Sequence, residues 1–121
     1  MKIVIVGAGS VGTNLYHAFE LKGIKTELVH ARPLTADPSS ARFLPQADVY
    51  IYTVVDSVLA EIVSLVYAPQ ALHLHTSGSM PITVFGADKP HAGVLYFFQS
   101  FSREVLIDDW SGIPCFYEGR N

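Results

Sequence analysis

Thiols are almost absent from this sequence. Cys115 is the single cysteine among 121 residues, so no disulfide can close within the chain, and no Cys/His cluster stands at the spacing of a zinc site. Charge is thin and mixed, with eight Lys plus Arg against eleven Asp plus Glu and a net charge of −3. Without a run of either sign there is neither the basic stripe of a nucleic-acid-binding protein nor a polybasic membrane patch. No apolar stretch reaches the roughly 20 residues of a membrane helix, because Asp56 and Glu61 break the longest one. Lys2 followed by Ile3-Val4-Ile5-Val6 begins like a signal peptide, but Gly7 ends the apolar run far short of a usable core. What is present is 50% hydrophobic residues, sufficient for one compact core at this length. The expectation is a soluble cytoplasmic domain that engages neither nucleic acid nor membrane.

Ile3-Val4-Ile5-Val6 is continuous and β-branched, the pattern of a strand covered on both faces of a parallel sheet. From Ser10 the apolar residues Val11, Leu15, Ala18, Phe19 and Leu21 recur at helical spacing until Lys22-Gly23 supplies a stop. Thr26-Glu27-Leu28-Val29 reads as the returning strand of a βαβ unit. Pro33, Pro38 and Pro45 make the stretch from Arg32 to Gln46 mostly loop, with room for a helical turn near Ala41-Arg42-Phe43-Leu44. Asp48 to Val55 is the next strand, followed by Asp56-Ser57 and a helix patterned by Val58, Leu59, Ile62, Val63, Leu65 and Val66. Ala71 to His75 is a fourth strand, Ser77 to Pro81 a loop feeding a short helix, and Gly93 to Phe98 and Ile113 to Tyr117 two further strands. This alternation predicts an α/β fold, a doubly wound and mostly parallel sheet in three α/β/α layers spanning residues 1–121. With neither a helix nor a polar tail after the last strand, the chain reads as one domain of something longer.

Gly7-Ala8-Gly9-Ser10-Val11-Gly12 matches G-x-G-x-x-G, and its place directly after a buried strand and before an amphipathic helix gives the match its weight. Gly7 allows the tight turn, Gly9 the approach of a pyrophosphate to the backbone, and Gly12 close packing of helix on sheet. The anion would rest on unpaired N–H groups at the helix start. At the end of the second strand, where NAD enzymes place a carboxylate on the ribose hydroxyls, the chain has His30-Ala31-Arg32. Arg32 suits a 2′-phosphate and protonated His30 adds a second donor, which favours NADP over NAD and counts against flavin or S-adenosylmethionine.

Ligands of an open α/β sheet bind beyond the carboxyl ends of its strands. After the third strand, Val54 and Val55 are placed to flank adenine or ribose, and Asp56 reads as a helix cap rather than a catalyst. After the fourth comes His75-Thr76-Ser77-Gly78-Ser79. Reduction of a carbonyl or imine by hydride requires a proton donor, which makes His75 and Ser77 the candidate catalytic residues. Each has a structural alternative, His75 as a satisfied strand histidine and Ser77 as a helix-initiating hydroxyl. Tyr96, Phe97, Phe98 and Phe101 read as core or as an interface with another domain, and Cys115 as an inert buried thiol.

Together, Gly7-Ala8-Gly9-Ser10-Val11-Gly12, His75-Thr76-Ser77-Gly78-Ser79 and the segment from Gly93 to Ser102 carry a resemblance. The chain resembles a family of candidate bacterial NADP-dependent oxidoreductases with an N-terminal Rossmann-like domain and a C-terminal helical domain of unassigned function. That family is similar to pyrroline-5-carboxylate reductase and to the deazaflavin-dependent NADP oxidoreductase. The resemblance implies NADP held by Gly7, Gly9, Ser10, Val11, Gly12 and Arg32, with Val54, Val55 and Ser77 near the rest of the cofactor. Phe98 stands where family members usually carry Pro. The resemblance also implies an active site shared with the helical domain, often across a homodimer, so the 121-residue chain alone is expected to bind NADP without turnover on a small carbonyl or imine. The competing reading is a non-catalytic NAD(P)-binding or sensing module that docks a partner domain.

Overall fold

A computed structural model describes residues 1–120. Six strands form one sheet: β1 (Ile3–Val6), β2 (Thr26–Val29), β3 (Val49–Tyr52), β4 (Leu72–His75), β5 (Ala92–Phe97) and β6 (Cys115–Arg120). Their order is β2-β1-β3-β4-β5-β6, with β1 to β5 parallel and β6 antiparallel to β5. The chain runs from β1 through helix α1 (Ser10–Leu21) to β2 on one side, then crosses to β3 on the other. The winding therefore reverses between β1 and β3, and their carboxyl ends diverge into a crevice.

Period-two alternation along the buried strands sends successive side chains to opposite faces. Ile3, Ile5, Ile51 and Leu74 pack under α1 through Leu15. Val4, Val6, Tyr50 and Tyr52 face Leu59, Ile62 and Val63 of helix α3 (Asp56–Leu65). Two faces covered around a fully buried β1 are the physical content of its unbroken apolar run. Helix α1 stops as its sequence predicts: Gly23 takes φ +71°, its N–H reaches Glu20 O at 3.1 Å, and the Ile24 N–H reaches Phe19 O at 2.9 Å.

Three expectations change. Arg32 to Gln46 is more ordered than a proline count suggests, because Pro33 and Pro38 each stand in the first turn of a helix, where a missing N–H costs nothing: α2 (Arg32–Ala36) and a 3-10 segment (Pro38–Phe43). The third strand is shorter than its apolar run, ending at Tyr52 before the chain turns toward α3. Cys115 is exposed rather than buried, because β6 is the sheet's antiparallel edge and leaves its apolar residues partly uncovered. Partial desolvation still raises the thiol's pKa, which leaves it unactivated.

The aromatic segment divides by face. Phe97 packs edge-on against Trp110 and Phe101, in the cluster under α1. Tyr96 turns to the opposite face, against Gly78.

Gly12 is where α1 is pressed hardest against the sheet: a Cβ there would stand 1.8 Å from Gly7 O and 2.6 Å from Thr53 Oγ1. Backbone cannot yield as a side-chain tip can, so Gly12→Ala is expected to lower unfolding free energy by about 2 kcal/mol or more, read from urea denaturation, whereas Gly9→Ala changes it by less than about 0.5 kcal/mol.

Candidate functional site

The crevice is built around the β1–α1 turn. Gly7 takes φ +120°, a region open to glycine, and its N–H reaches Val29 O at 2.8 Å. Thr53 at the end of β3 donates its hydroxyl to Gly7 O at 2.7 Å, which ties the turn to the neighbouring strand. Gly7 and Gly12 are buried, and the protein's own atoms account for the lack of a side chain at each. Gly9 differs. It is exposed, and a Cβ there would meet nothing within 4 Å. Gly9 precedes the first turn of α1, which carries neither a side-chain cap nor an acidic residue, so its N–H groups remain available to an anion.

Two depressions meet at Gly9. One, of about 510 Å³, is lined by His30, Arg32 and Arg103 together with Ala8, Ala31 and Pro33. The other, of about 920 Å³, is lined by Ser10, Val11, Val54, Val55, Ser77 and Tyr96, among others. The sequence-derived residues thus separate by role. His30 and Arg32 stand at one end, Gly9 between, Ser10, Val11, Val54, Val55 and Ser77 at the other, while Gly7 and Gly12 shape the turn from below.

At the wide end a chain of hydroxyls ends on a carboxylate. Ser79 donates its Oγ proton to Asp56 Oδ2 at 2.5 Å, so the contact between Ser77 Oγ and Ser79 Oγ at 3.1 Å runs from Ser77 to Ser79. The Ser79 N–H returns to Ser77 Oγ at 3.2 Å. The Ser79 hydroxyl first, and the Ser77 hydroxyl beyond it, hold the Asp56 carboxyl below its ordinary pKa. Asp56 is therefore not the helix cap that its position suggested. It sits in the first turn of α3, whose N-cap is Val55, and its carboxylate is taken by the serine loop.

His75 is also corrected. It is fully buried, its Nδ1 accepts the Ser77 N–H at 3.1 Å, and its Nε2 donates to Pro81 O at 3.1 Å. Alternation along β4 turns its ring against Phe85, off the crevice, and both nitrogens are committed. His75 is thus the satisfied strand histidine, and it positions the Ser77 loop rather than facing a ligand.

Nothing in the sequence singles out Arg103 or Tyr96. Arg103 lies some 70 residues from Arg32 in a loop without periodicity, and only the fold brings the two to one depression. Tyr96 stands among aromatic neighbours in sequence, and what separates it is Gly78, where a Cβ would stand 2.6 Å from its ring.

The sequence matches no protein-family model and no curated protein. Among solved structures, a candidate NADP oxidoreductase from Bacteroides fragilis superposes with a TM-score of 0.81 at 32% identity, over 98% of this chain and 51% of that one. The fold is Rossmann-like. Synechocystis arogenate dehydrogenase (TM-score 0.65, 14% identity, 98% of this chain and 50% of that one) and D-mandelate dehydrogenase in complex with NADH (0.60, 13%, 83% and 40%) share that architecture. The chain spans about half the length of the Bacteroides protein. Among the described residues no group of His, Cys, Asp or Glu is arranged to hold a metal ion, and no helix is long and apolar enough to cross a membrane.

Two buried imidazoles beneath the site set a pH dependence. His73 accepts from Tyr52 Oη on Nδ1 at 2.9 Å and donates from Nε2 to Ala68 O at 2.8 Å. Desolvation lowers the pKa of both His73 and His75. The unfolded chain takes up these protons near pH 6.5, the folded chain only at lower pH, so stability falls as pH drops below about 6.5, by up to about 1.4 kcal/mol per pH unit for each ring. Urea midpoints between pH 7.5 and pH 5 are expected to decline accordingly, with a shallower slope in His75→Gln, whose amide keeps one donor and one acceptor.

Proposed function

We propose that this chain is the NADP-binding domain of an oxidoreductase. The observation that carries the proposal is Gly9: an exposed glycine with no neighbour for a Cβ, set between two depressions and before an uncapped helix start. A glycine that the protein's own packing does not require is accounted for by a ligand passing close to its backbone. The Bacteroides relative supports the reading.

The pyrophosphate lies over Gly9, Ser10 and Val11, where helix N–H groups and the helix dipole favour negative charge. The adenosine end falls in the depression of His30 and Arg32, with Arg32 on the 2′-phosphate. Where the NAD pattern places a carboxylate acceptor for ribose hydroxyls, this chain presents the Arg32 guanidinium, a donor without an acceptor, which suits a phosphate. The nicotinamide end extends along Val54 and Val55 toward Ser77. When bound, NADPH supplies hydride to a carbonyl or imine carbon.

The chain's own part there is orientation. Asp56 and Ser79 hold the Ser77 hydroxyl in place, and Ser77 hydrogen-bonds the carboxamide or the substrate. A serine hydroxyl is a poor reservoir of protons near neutral pH, and the buried His75 has no free nitrogen to replace it. On this reading the proton and much of the substrate pocket come from outside this chain, from a second, C-terminal domain in a homodimeric protein. The 121-residue chain alone is expected to show no multiple-turnover reduction of carbonyl or imine substrates.

Calorimetric titration of the chain with NADPH and NADH tests the reading. NADPH is expected to bind more tightly. Gly9→Val, whose backbone at φ −80° and ψ −158° accepts a β-branched residue, is expected to fold normally and weaken both ligands at least about tenfold. Arg32→Ala is expected to weaken NADPH by about tenfold and to leave NADH nearly unchanged. Unchanged affinity in Gly9→Val would remove the glycine turn from the site.

A further inference from the structure

We infer that Arg103, from the loop between β5 and β6, is a second determinant of phosphate specificity and shares the adenosine end of the groove with Arg32. This rests on the dinucleotide reading above and extends it to a residue far outside the βαβ unit.

Arg103 and Arg32 line the same depression with His30, and no acidic side chain lines it. Neither guanidinium takes part in any of the ion pairs among the described residues, which join Lys2 with Glu27, His17 with Asp108, and Lys89 with Asp88. The carboxylate nearest Arg103 in sequence, Glu104, is turned back onto Ser102, whose Oγ donates to Glu104 Oε2 at 2.7 Å. Glu104 also feels the charge of Arg103 but lies outside the lining, so within the concavity the two guanidiniums face no carboxylate and suit a dianionic phosphate.

The loop is fastened where it has to be for this role. Asn14 of α1 is fully buried, and its amide spends every hydrogen bond on this connection and its own helix. Its Nδ2 donates to Ser102 O at 2.9 Å and to Ser10 O at 2.9 Å, while its Oδ1 accepts the Ile107 N–H at 2.9 Å. Both anchor points flank Arg103. One side chain on the first turns of α1 thus ties Arg103 to the same helix start that faces the pyrophosphate. An anchored loop places a charge with less ordering entropy than a free one, so binding retains more of the contact.

The test is titration of the chain and of Arg103→Ala with NADPH and NADH, backed by adenosine 2′,5′-bisphosphate and 5′-AMP as probes of the adenosine end alone. The expected result is a loss of about tenfold for NADPH and for the bisphosphate, with NADH and 5′-AMP changed less than about twofold, and near-complete loss of NADPH preference in the Arg32→Ala, Arg103→Ala double variant. Arg103 is exposed, so the variant folds and a null effect is interpretable. Unchanged NADPH affinity, or an equal loss for NADPH and NADH, overturns the role of Arg103 while the dinucleotide reading stands. If the unaltered chain binds neither dinucleotide at millimolar concentration, that reading fails and the inference falls with it.

Discussion

The close approach of α1 to the sheet is the constraint on which the rest of the site depends. Gly12 lies against the Gly7 carbonyl, and Thr53 donates its hydroxyl to that same carbonyl, so the helix start, the first turn and the end of β3 are locked at one point. Because they are locked, the first turn of α1 opens into the crevice rather than against a neighbouring side chain. The available N–H groups, the exposed Gly9 and the two depressions on either side of it follow from that packing.

Below the crevice the sheet carries polar groups that never reach a ligand. His73 and His75 are both buried on β4, and each ring has a donor and an acceptor partner, which fixes them as neutral Nε2–H tautomers. Such groups are tolerated in a core because every nitrogen is satisfied, and the low dielectric that lowers their pKa also sharpens their geometry. His75 holds the serine loop from beneath and Asp56 holds it from the side. The Ser77 hydroxyl is thereby placed by one residue buried beneath the crevice and one that lines it.

The turn of charge at the two ends of the groove follows the same logic. Cationic and donor groups converge where the adenosine phosphate of the proposed cofactor lies, and hydroxyls with one carboxylate converge at the wide end. A protein with a net charge of −3 brings two positive charges to this concavity, Arg32 from α2 and Arg103 from the β5–β6 loop. Local disposition, not overall charge, decides what such a surface attracts.

Much of this was legible in the sequence because local rules and global fold agree. A continuous β-branched run meant a strand covered twice, Lys22-Gly23 meant a helix stop, and G-x-G-x-x-G after a strand meant a tight turn into α1. Those features depend on neighbours within a few residues. What depends on distant partners was not legible. The direction of the His75 ring is set by alternation along β4 and by Phe85 packed on that face; the fate of the Asp56 carboxylate is set by Ser79, 23 residues away. The exposure of Cys115 follows from β6 running antiparallel at the sheet edge, a matter of topology that an apolar pattern does not encode. Sequence by itself determined the βαβ unit and its glycine turn, since steric and hydrogen-bonding rules act there at short range. Only the tertiary structure decided which polar side chains share a cavity, because Arg103 meets Arg32 through a buried asparagine and a folded loop rather than through any spacing along the chain.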